Sequence, residues 1–274
     1  MLARQLRKWR EIVNWRKFDF NIHRIEFPRG HGVAWKKLFK MCACQRLFIP
    51  DLLKTTDAVL YVDTDILFLV PPEQLWEHFK NFNERQLAAM SPEGEDATAN
   101  WYSRFARHPY YEPYGVNSGV MLMNMTRMRA FAWGQQMWPI YETYGHNLTW
   151  GDQDVLNVLF HSHRELLYSY DCSWNFRPDH CMYMSNCKPA ETDGIRVVHG
   201  SRSYFHLDKQ PTFRAIYSVF RNYALGTSIR SNLLLPLAEA LHSVSDATAC
   251  HKIAGKFLTQ LNNLIAVQPE APLP

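Results

Sequence analysis

A continuous apolar run, Ala58-Val59-Leu60-Tyr61-Val62, ends directly in Asp63-Thr64-Asp65. No other stretch of the chain constrains its architecture as much. Five apolar residues without polar alternation predict a strand buried on both faces, and such a strand needs helices on either side of a sheet. In α/β sheets, ligands gather beyond the carboxyl ends of the strands. Two carboxylates separated by one residue reach a common cation if the backbone turns there. Their hard oxygens suit magnesium or manganese, and such a cation neutralises a diphosphate. Asp-x-Asp by itself is also an ordinary surface turn, so the apolar run before it gives the ligand reading its weight.

The rest of the chain alternates strand-like and helix-like segments. Residues 18–27 partly alternate apolar and polar and read as a strand ended by Pro28. Residues 35–49 carry Leu38, Met41, Cys42 and Phe48 at helical spacing, and residues 73–82 read as a helix after Pro71-Pro72. Gly119-Val120-Met121-Leu122-Met123 and Ile195-Arg196-Val197-Val198 are strand-like. Thr126 is a candidate cap for a helix running towards Tyr144, and Val155, Leu156, Leu159 and Phe160 mark a helical face. Leu2, Leu6, Trp9 and Val13 lie at helical spacing in a basic segment, which predicts a helix packed on the domain with a solvated charged face. Two amphipathic helices close the chain, marked by Leu234, Leu237, Leu241 and Val244 and by Ile253, Phe257, Leu261 and Leu264. The pattern predicts an α/β fold with a mostly parallel sheet. Its expected divisions are a main α/β unit over 1–228, helices packed on it over 229–266, and a loose tail over 267–274.

With 47% apolar and 20% charged residues in 274, a sizeable core can be buried. The net charge of +4 suits an anionic small ligand but not a nucleic-acid backbone. The many aromatic residues fill cores as readily as they line sugar sites. No apolar run reaches the roughly 18 residues that span a bilayer. Nor does the basic opening segment have the apolar centre of a signal peptide. Cys172, Cys181 and Cys187 cluster within sixteen residues. Zinc, buried free thiols and a lumenal disulfide near Cys181 and Cys187 all remain open, although no Cys-x-x-Cys pair is present. Asn124-Met125-Thr126 and Asn147-Leu148-Thr149 are N-glycosylation sequons.

Three further stretches carry chemistry. His199 follows the strand-like Ile195 to Val198, and neutral imidazole as a third ligand favours manganese over magnesium. Lys209 lies ten residues on and can meet a phosphate as a point charge. Trp150-Gly151-Asp152-Gln153-Asp154 opens a helix. Asp152 there is either its cap or, with Gln153 and Asp154, a partner for sugar hydroxyls. In Gly115-Val116-Asn117-Ser118-Gly119 small residues allow close approach of backbone to a ligand, and Asn117 either binds a hydroxyl or makes a turn.

Together, Tyr61-Val62-Asp63-Thr64-Asp65-Ile66-Leu67-Phe68, Asn117-Ser118-Gly119-Val120, Trp150-Gly151-Asp152-Gln153-Asp154 and His199-Gly200 resemble the ordered motif set of glycosyltransferase family eight. Within it, Trp35 to Lys40, Arg104 to Tyr111, Asn117 to Arg129 and Arg177 to Cys181 are similar to the animal glucoside xylosyltransferases. The resemblance implies an A-type glycosyltransferase fold, a Rossmann-like sheet with flanking helices. It implies a divalent metal, manganese or magnesium, held by Asp63, Asp65 and His199. It implies that Lys209 contacts the diphosphate, that Lys37 is a basic donor-site residue, and that Asn117 and Asp152 contact the donor sugar. Gln153 falls beneath the anomeric carbon, and Asp154 is a second candidate catalytic group. The implied reaction is retaining transfer of xylose from UDP-xylose to O-linked glucose on EGF-like repeats of Notch-type proteins. Another UDP-sugar and a non-catalytic glycan- or partner-binding form are the alternatives. The family's location is the lumen of the endoplasmic reticulum or Golgi, as a type II membrane protein. Family members also begin with an anchor and a first strand that this sequence does not match, so a truncated domain is expected, with anchoring confined to a longer form. If Asp63, Asp65 and His199 share one ion, the imidazole must lie within about 8 Å of both carboxylates, given metal–ligand distances near 2 Å.

Overall fold

The computed structural model describes residues 2–12, 19–28, 30–38, 41–244 and 249–267. The fold is mixed α/β. Four strands, β1 (Ala58–Val62), β3 (Ala88–Pro92), β4 (Val116–Asn124) and β5 (Leu167–Ser169), form one sheet in the order β1-β4-β3-β5. Two short strands, β2 (Ile66–Phe68) and β6 (Val197–His199), pair beside it.

The residue pattern of β4 explains the layering. Eight of its nine residues are buried, and alternate side chains point to opposite faces. Met121 and Met123 enter a core with Trp133, Met137, Leu156 and Phe160. Val120 and Leu122 enter another with Val70, Leu75, Tyr170 and Trp174. In β1, Val59 and Tyr61 side with the first core and Leu60 with the second, as their register against Met123, Met121 and Leu122 requires.

Several expectations change here. The sheet is not mostly parallel: among the described residues β4 runs antiparallel to both β1 and β3, and within the sheet β3 and β5 alone pair in parallel. A continuous apolar run reports burial and is blind to strand direction, so the sequence could not separate the two. The strand buried on both faces is β4. β1 lies at the sheet edge and is half-buried. Residues 19–28 form no strand. The Gln45 side chain takes the place of a partner strand there: its Oε1 accepts from the Glu26 N–H and its Nε2 donates to the Glu26 carbonyl, both at 2.7 Å. The helix expected over 35–49 is broken into short pieces: Gly32–Lys37 ends where Leu38 turns extended, and Met41–Cys44 is followed by a 3-10 turn, Gln45–Phe48. Thr126 is not a cap. Asn124 caps Met125–Ala130, its side chain accepting from the Arg127 N–H at 3.0 Å, and a separate helix spans Trp133–Tyr144.

The helix Leu2–Ile12 forms, but none of its residues is buried; Val13 lies outside the described residues. The C-terminal helices Leu235–Ser243 and Lys256–Val267 share a third core with the catalytic segments. Leu237, Leu241, Phe257 and Leu261 pack with Leu69, Phe176, Val198 and Phe213. Residues 268–274, most of the expected tail, lie outside the described residues. Cys172 pairs with Cys187 and Cys181 with Cys250, so those four sulfurs are not available to zinc. The second bridge ties the C-terminal helices to the segment after Arg177.

Phe257 is fully buried against the rings of Phe176 and Phe213. Phe257→Ala is expected to cost about 3–5 kcal/mol of stability. Urea unfolding followed by tryptophan fluorescence measures it, with a lowered midpoint and unchanged slope as the expected result.

Candidate active site

β1 and β2 are joined by Asp63-Thr64-Asp65, so the carboxylates sit where one strand ends and the next begins. Two backbone hydrogen bonds fix this turn. The Asp63 N–H donates to the Gly119 carbonyl, and the Gly200 N–H donates to the Asp65 carbonyl, both at 2.8 Å. Because Ile66 pairs with His199 across β2 and β6, the imidazole is brought beside Asp65. His199 Nε2 lies 3.4 Å from Asp65 Oδ1 and 3.9 Å from Asp63 Oδ2, well inside the limit set by a shared ion.

The other side of the ring decides its tautomer. His199 Nδ1 is 2.9 Å from Asn175 Oδ1, and Asn175 Nδ2 donates to Asn117 Oδ1 at 2.8 Å. With the Asn175 oxygen facing the ring, Nδ1 carries the hydrogen and Nε2 turns its lone pair towards the carboxylates. One ligand atom from each of Asp63, Asp65 and His199 falls within a 4.8 Å set. Two hard oxygens and one imidazole nitrogen, with the far nitrogen hydrogen-bonded, suit a divalent cation. Gly119 makes this possible: a Cβ there would lie 2.3 Å from His199 Cε1. The small residue before β4's long apolar run thus leaves room for the imidazole, where the sequence suggested room for a ligand.

These groups open on a cavity of about 360 Å³. Asn117, Asp152 and Gln153 line it with Asp63, Asp65 and His199. Gly151, at φ +62°, makes the entry to the helix Asp152–Ser162, so Asp152 is its first residue and not its cap. Burial pushes the Asp152 carboxyl up to about 6, against the pull of Arg46. Asp154 stands behind the wall. It is fully buried, and its Oδ1 accepts from the Tyr102 hydroxyl at 2.8 Å while its Oδ2 accepts from the Trp150 N–H at 2.7 Å. With both oxygens taken and no face on the cavity, Asp154 is placed to hold structure and not to attack a sugar. Lys37 and Lys209 are exposed and are not among the cavity-lining residues. Of the sequons, Asn147 is exposed and Asn124 is half-buried, its oxygen engaged as the helix cap.

Three residues were missed by sequence reasoning. Arg46 is 3% exposed. Its Nη2 donates to Asp63 Oδ1 at 2.7 Å, its Nη1 donates to the Ser118 carbonyl, and its guanidinium lies 4.3 Å from the Tyr61 ring centre. Its Nε sits 2.6 Å from Asp152 Oδ2, a contact of charges, since the Nε–H points to the Ala43 carbonyl. Glu93 Oε2 accepts from Asn117 Nδ2 at 2.7 Å and faces Arg177 Nη1 at 3.4 Å. Asn175 orients His199. For Asn175 the available signal was a polar residue set among apolar ones, Trp174-Asn175-Phe176.

Two outcomes follow from this geometry. Asn175→Ala removes the acceptor that fixes the His199 tautomer and is expected to weaken divalent-cation affinity about 10–100-fold; calorimetric titration with manganese reads it. His180 is fully buried, and its Nδ1 accepts from the Arg177 N–H at 3.0 Å. Burial, reinforced by Arg177, pushes its pKa down from 6.5 to about 3. As pH falls below 6.5 only the unfolded chain takes the proton, so stability is lost on acidification. Between pH 7 and pH 5 the wild type should lose about 2 kcal/mol more than His180→Gln, measured by urea unfolding at both pH values.

The chain is similar to known proteins in sequence and in fold. A family model described as glycosyl transferase family 8 matches residues 3–200. Glucoside xylosyltransferase 2 of Xenopus laevis is 46% identical over 278 residues, covering 97% of this chain and 65% of that protein. Glucoside xylosyltransferase 1 of Mus musculus is 48% identical over 275 residues, covering 95% of this chain and 68% of that protein. The chain spans 60–65% of the length of the first three glucoside xylosyltransferases it matches. Among solved structures, apo mouse xyloside xylosyltransferase 1 superposes with a TM-score of 0.41 at 22% identity, over 58% of this chain and 65% of that one. The galactosyltransferase LgtC with donor and acceptor sugar analogs gives 0.48 at 20%, over 61% and 63%. The family match covers well over half of the sequence, including every motif that lines the cavity, and the chain belongs to glycosyl transferase family 8.

Proposed function

We propose that this chain is a retaining transferase that moves xylose from UDP-xylose to O-linked glucose on EGF-like repeats of Notch-type proteins. The observation that carries the reading is the convergence of Asp63, Asp65 and His199 beside Asn117, Asp152 and Gln153 on one cavity of about 360 Å³. That volume falls in the range of small-molecule sites. Relatives at 46% and 48% identity that carry the name glucoside xylosyltransferase support both the donor sugar and the glucoside acceptor.

Asp63, Asp65 and His199 are proposed to hold manganese, with magnesium as the second choice. Bound there, the ion supplies positive charge that offsets the negative charge growing on the UDP leaving group. Asn117 and Asp152 are proposed to bind hydroxyls of the donor sugar. Gln153 stands on the cavity wall as the group beneath the anomeric carbon, where its amide dipole supports positive charge in the transition state. Lys209 meets the diphosphate if the segment 201–210 folds over the cavity, whose rim includes Ser201 and Arg202. Lys37, exposed and off the cavity wall, is proposed to contribute long-range attraction for the anionic donor.

Retention has two routes. A double displacement needs a nucleophile; an amide is a poor one, and both Asp154 oxygens are engaged. The front-face route needs positioning and electrostatics. In it the bond from the anomeric carbon to the phosphate oxygen breaks, the bond to the acceptor hydroxyl oxygen forms on the same face, and the hydroxyl proton passes to the departing phosphate. We assign the front-face route.

The two disulfides and the exposed Asn147 sequon support a lumenal setting in the endoplasmic reticulum or Golgi. Among the described residues no helix is long and apolar enough to cross a membrane.

The test is turnover of UDP-xylose, UDP-glucose and UDP-galactose by the purified chain, with an O-glucosylated EGF-like repeat as acceptor. The expected result is UDP release and an added pentose with UDP-xylose, dependent on manganese and abolished by EDTA. Preference for a hexose donor would reassign the sugar, and metal-independent or absent turnover would overturn the proposal.

A further inference from the structure

One amide at the cavity wall is held by four hydrogen bonds. Gln153 Nε2 donates to Glu93 Oε2 and to the Tyr102 hydroxyl, both at 3.2 Å. Gln153 Oε1 accepts from the Ser118 N–H at 3.2 Å and from the Ser118 hydroxyl at 3.4 Å. A carboxamide offers two N–H groups and an oxygen with two lone pairs, so its full capacity is used.

The partners also forbid the flipped amide. A carboxylate accepts, and a backbone N–H donates. The Tyr102 hydroxyl can do either, but its single hydrogen goes to Asp154 Oδ1 at 2.8 Å. It can then only accept, and it accepts from Gln153 and from Asn157 Nδ2, the latter at 2.9 Å. Tyr102 is 1% exposed and is absent from the cavity wall, while Gln153 is on it. Gly115, at φ +68°, leaves the space the Tyr102 ring occupies, since a Cβ there would meet Cδ2 at 2.2 Å.

We propose that Tyr102 is a positioning residue, which, with Asp154 behind it and together with Glu93 and Ser118, completes the lock on the Gln153 carboxamide before any ligand enters. Asp154 thereby acts on the reaction through two hydrogen bonds without touching substrate. The proposal rests on the reading of the cavity as a UDP-sugar site. What it adds is that the rate depends on a buried phenol that no donor reaches.

Tyr102→Phe keeps the ring and removes the acceptor. The first readout needs no turnover: the side-chain amide resonances of Gln153 in the full chain, assigned by their loss in Gln153→Ala. They are expected to be shifted and slow to exchange in the wild type, and in Tyr102→Phe, where the bonds to Glu93 and Ser118 remain, the resonance of the amide hydrogen that met the phenol should move towards the solvent value and exchange faster. The second readout is UDP-xylose turnover. Tyr102→Phe should lower kcat about ten- to hundredfold while the donor KM and manganese affinity stay within about twofold. In the Gln153→Ala background the same substitution should have no further effect. Unchanged amide resonances, or an equal loss of kcat with and without Gln153, would overturn the proposal. If the wild type turns over no UDP-sugar, the functional reading falls while the resonances still decide the lock. If Tyr102→Phe does not fold, 3-fluorotyrosine at 102, nearly isosteric and a weaker acceptor, must shift the same two resonances.

Discussion

The acidic cavity rests on the buried guanidinium of Arg46. Asp63 and Asp152 approach it from different elements, and the Ser118 carbonyl and the Tyr61 ring close the remaining sides. Carboxylates brought together in a half-buried pocket repel one another, and burial alone disfavours their ionised forms. A cation that is always charged and presents a fixed fork of donors offsets both effects. It also ties the broken helix around residue 46 to the turn at 63 and to β4. The site is therefore not three motifs placed side by side but one charge-balanced cluster with a covalently distant centre.

The order of the layers depends on β4. Its two faces feed two cores, and its first residues, Val116 to Gly119, supply the cavity with Asn117, the Ser118 backbone and the space for His199. The same strand thus packs along its length and lines the cavity at its amino end. Polar groups there are tolerated because each has a partner: Asn117 joins Glu93, Asn175 and its own Gly119 N–H.

The legible part of the site in the sequence was the part coded locally. Asp63 and Asp65 directly follow an apolar run, and His199 closes another, so their positions at strand ends could be read from neighbours alone. Gln153 and Asp152 opened a helix with a clear apolar face. What stayed hidden was coded at a distance. Arg46 gains its meaning from Ser118, Asp63 and Asp152, and nothing in Gln45-Arg46-Leu47 announces them. Asn175 looks like a loop residue until His199 is beside it. Strand direction was unreadable because a doubly buried strand has the same composition either way. The segment 19–28 shows the reverse error: alternation suggested a strand, but pairing needs a partner, and one glutamine side chain supplied it. Asp154 was over-read, because its neighbours in sequence face the cavity while its own side chain turns inwards.

The bridge between Cys181 and Cys250 bears on how the site is assembled in time. Arg177, whose Nη2 reaches the Glu93 carbonyl, and Asp179, which holds Arg202 at the cavity rim, lie just before Cys181. Their tether is a residue 69 positions later. During synthesis every cavity-lining side chain leaves the ribosome before that tether exists. The Cys172–Cys187 bridge closes a loop around the same segment, and the Cys181–Cys250 bridge adds a fastening from the C-terminal helices that forms only where thiols are oxidised. The shape of this wall is in that sense a matter of compartment as well as of sequence: the same chain made in a reducing cytosol would carry every motif and lack the Cys181–Cys250 clasp on one side of them.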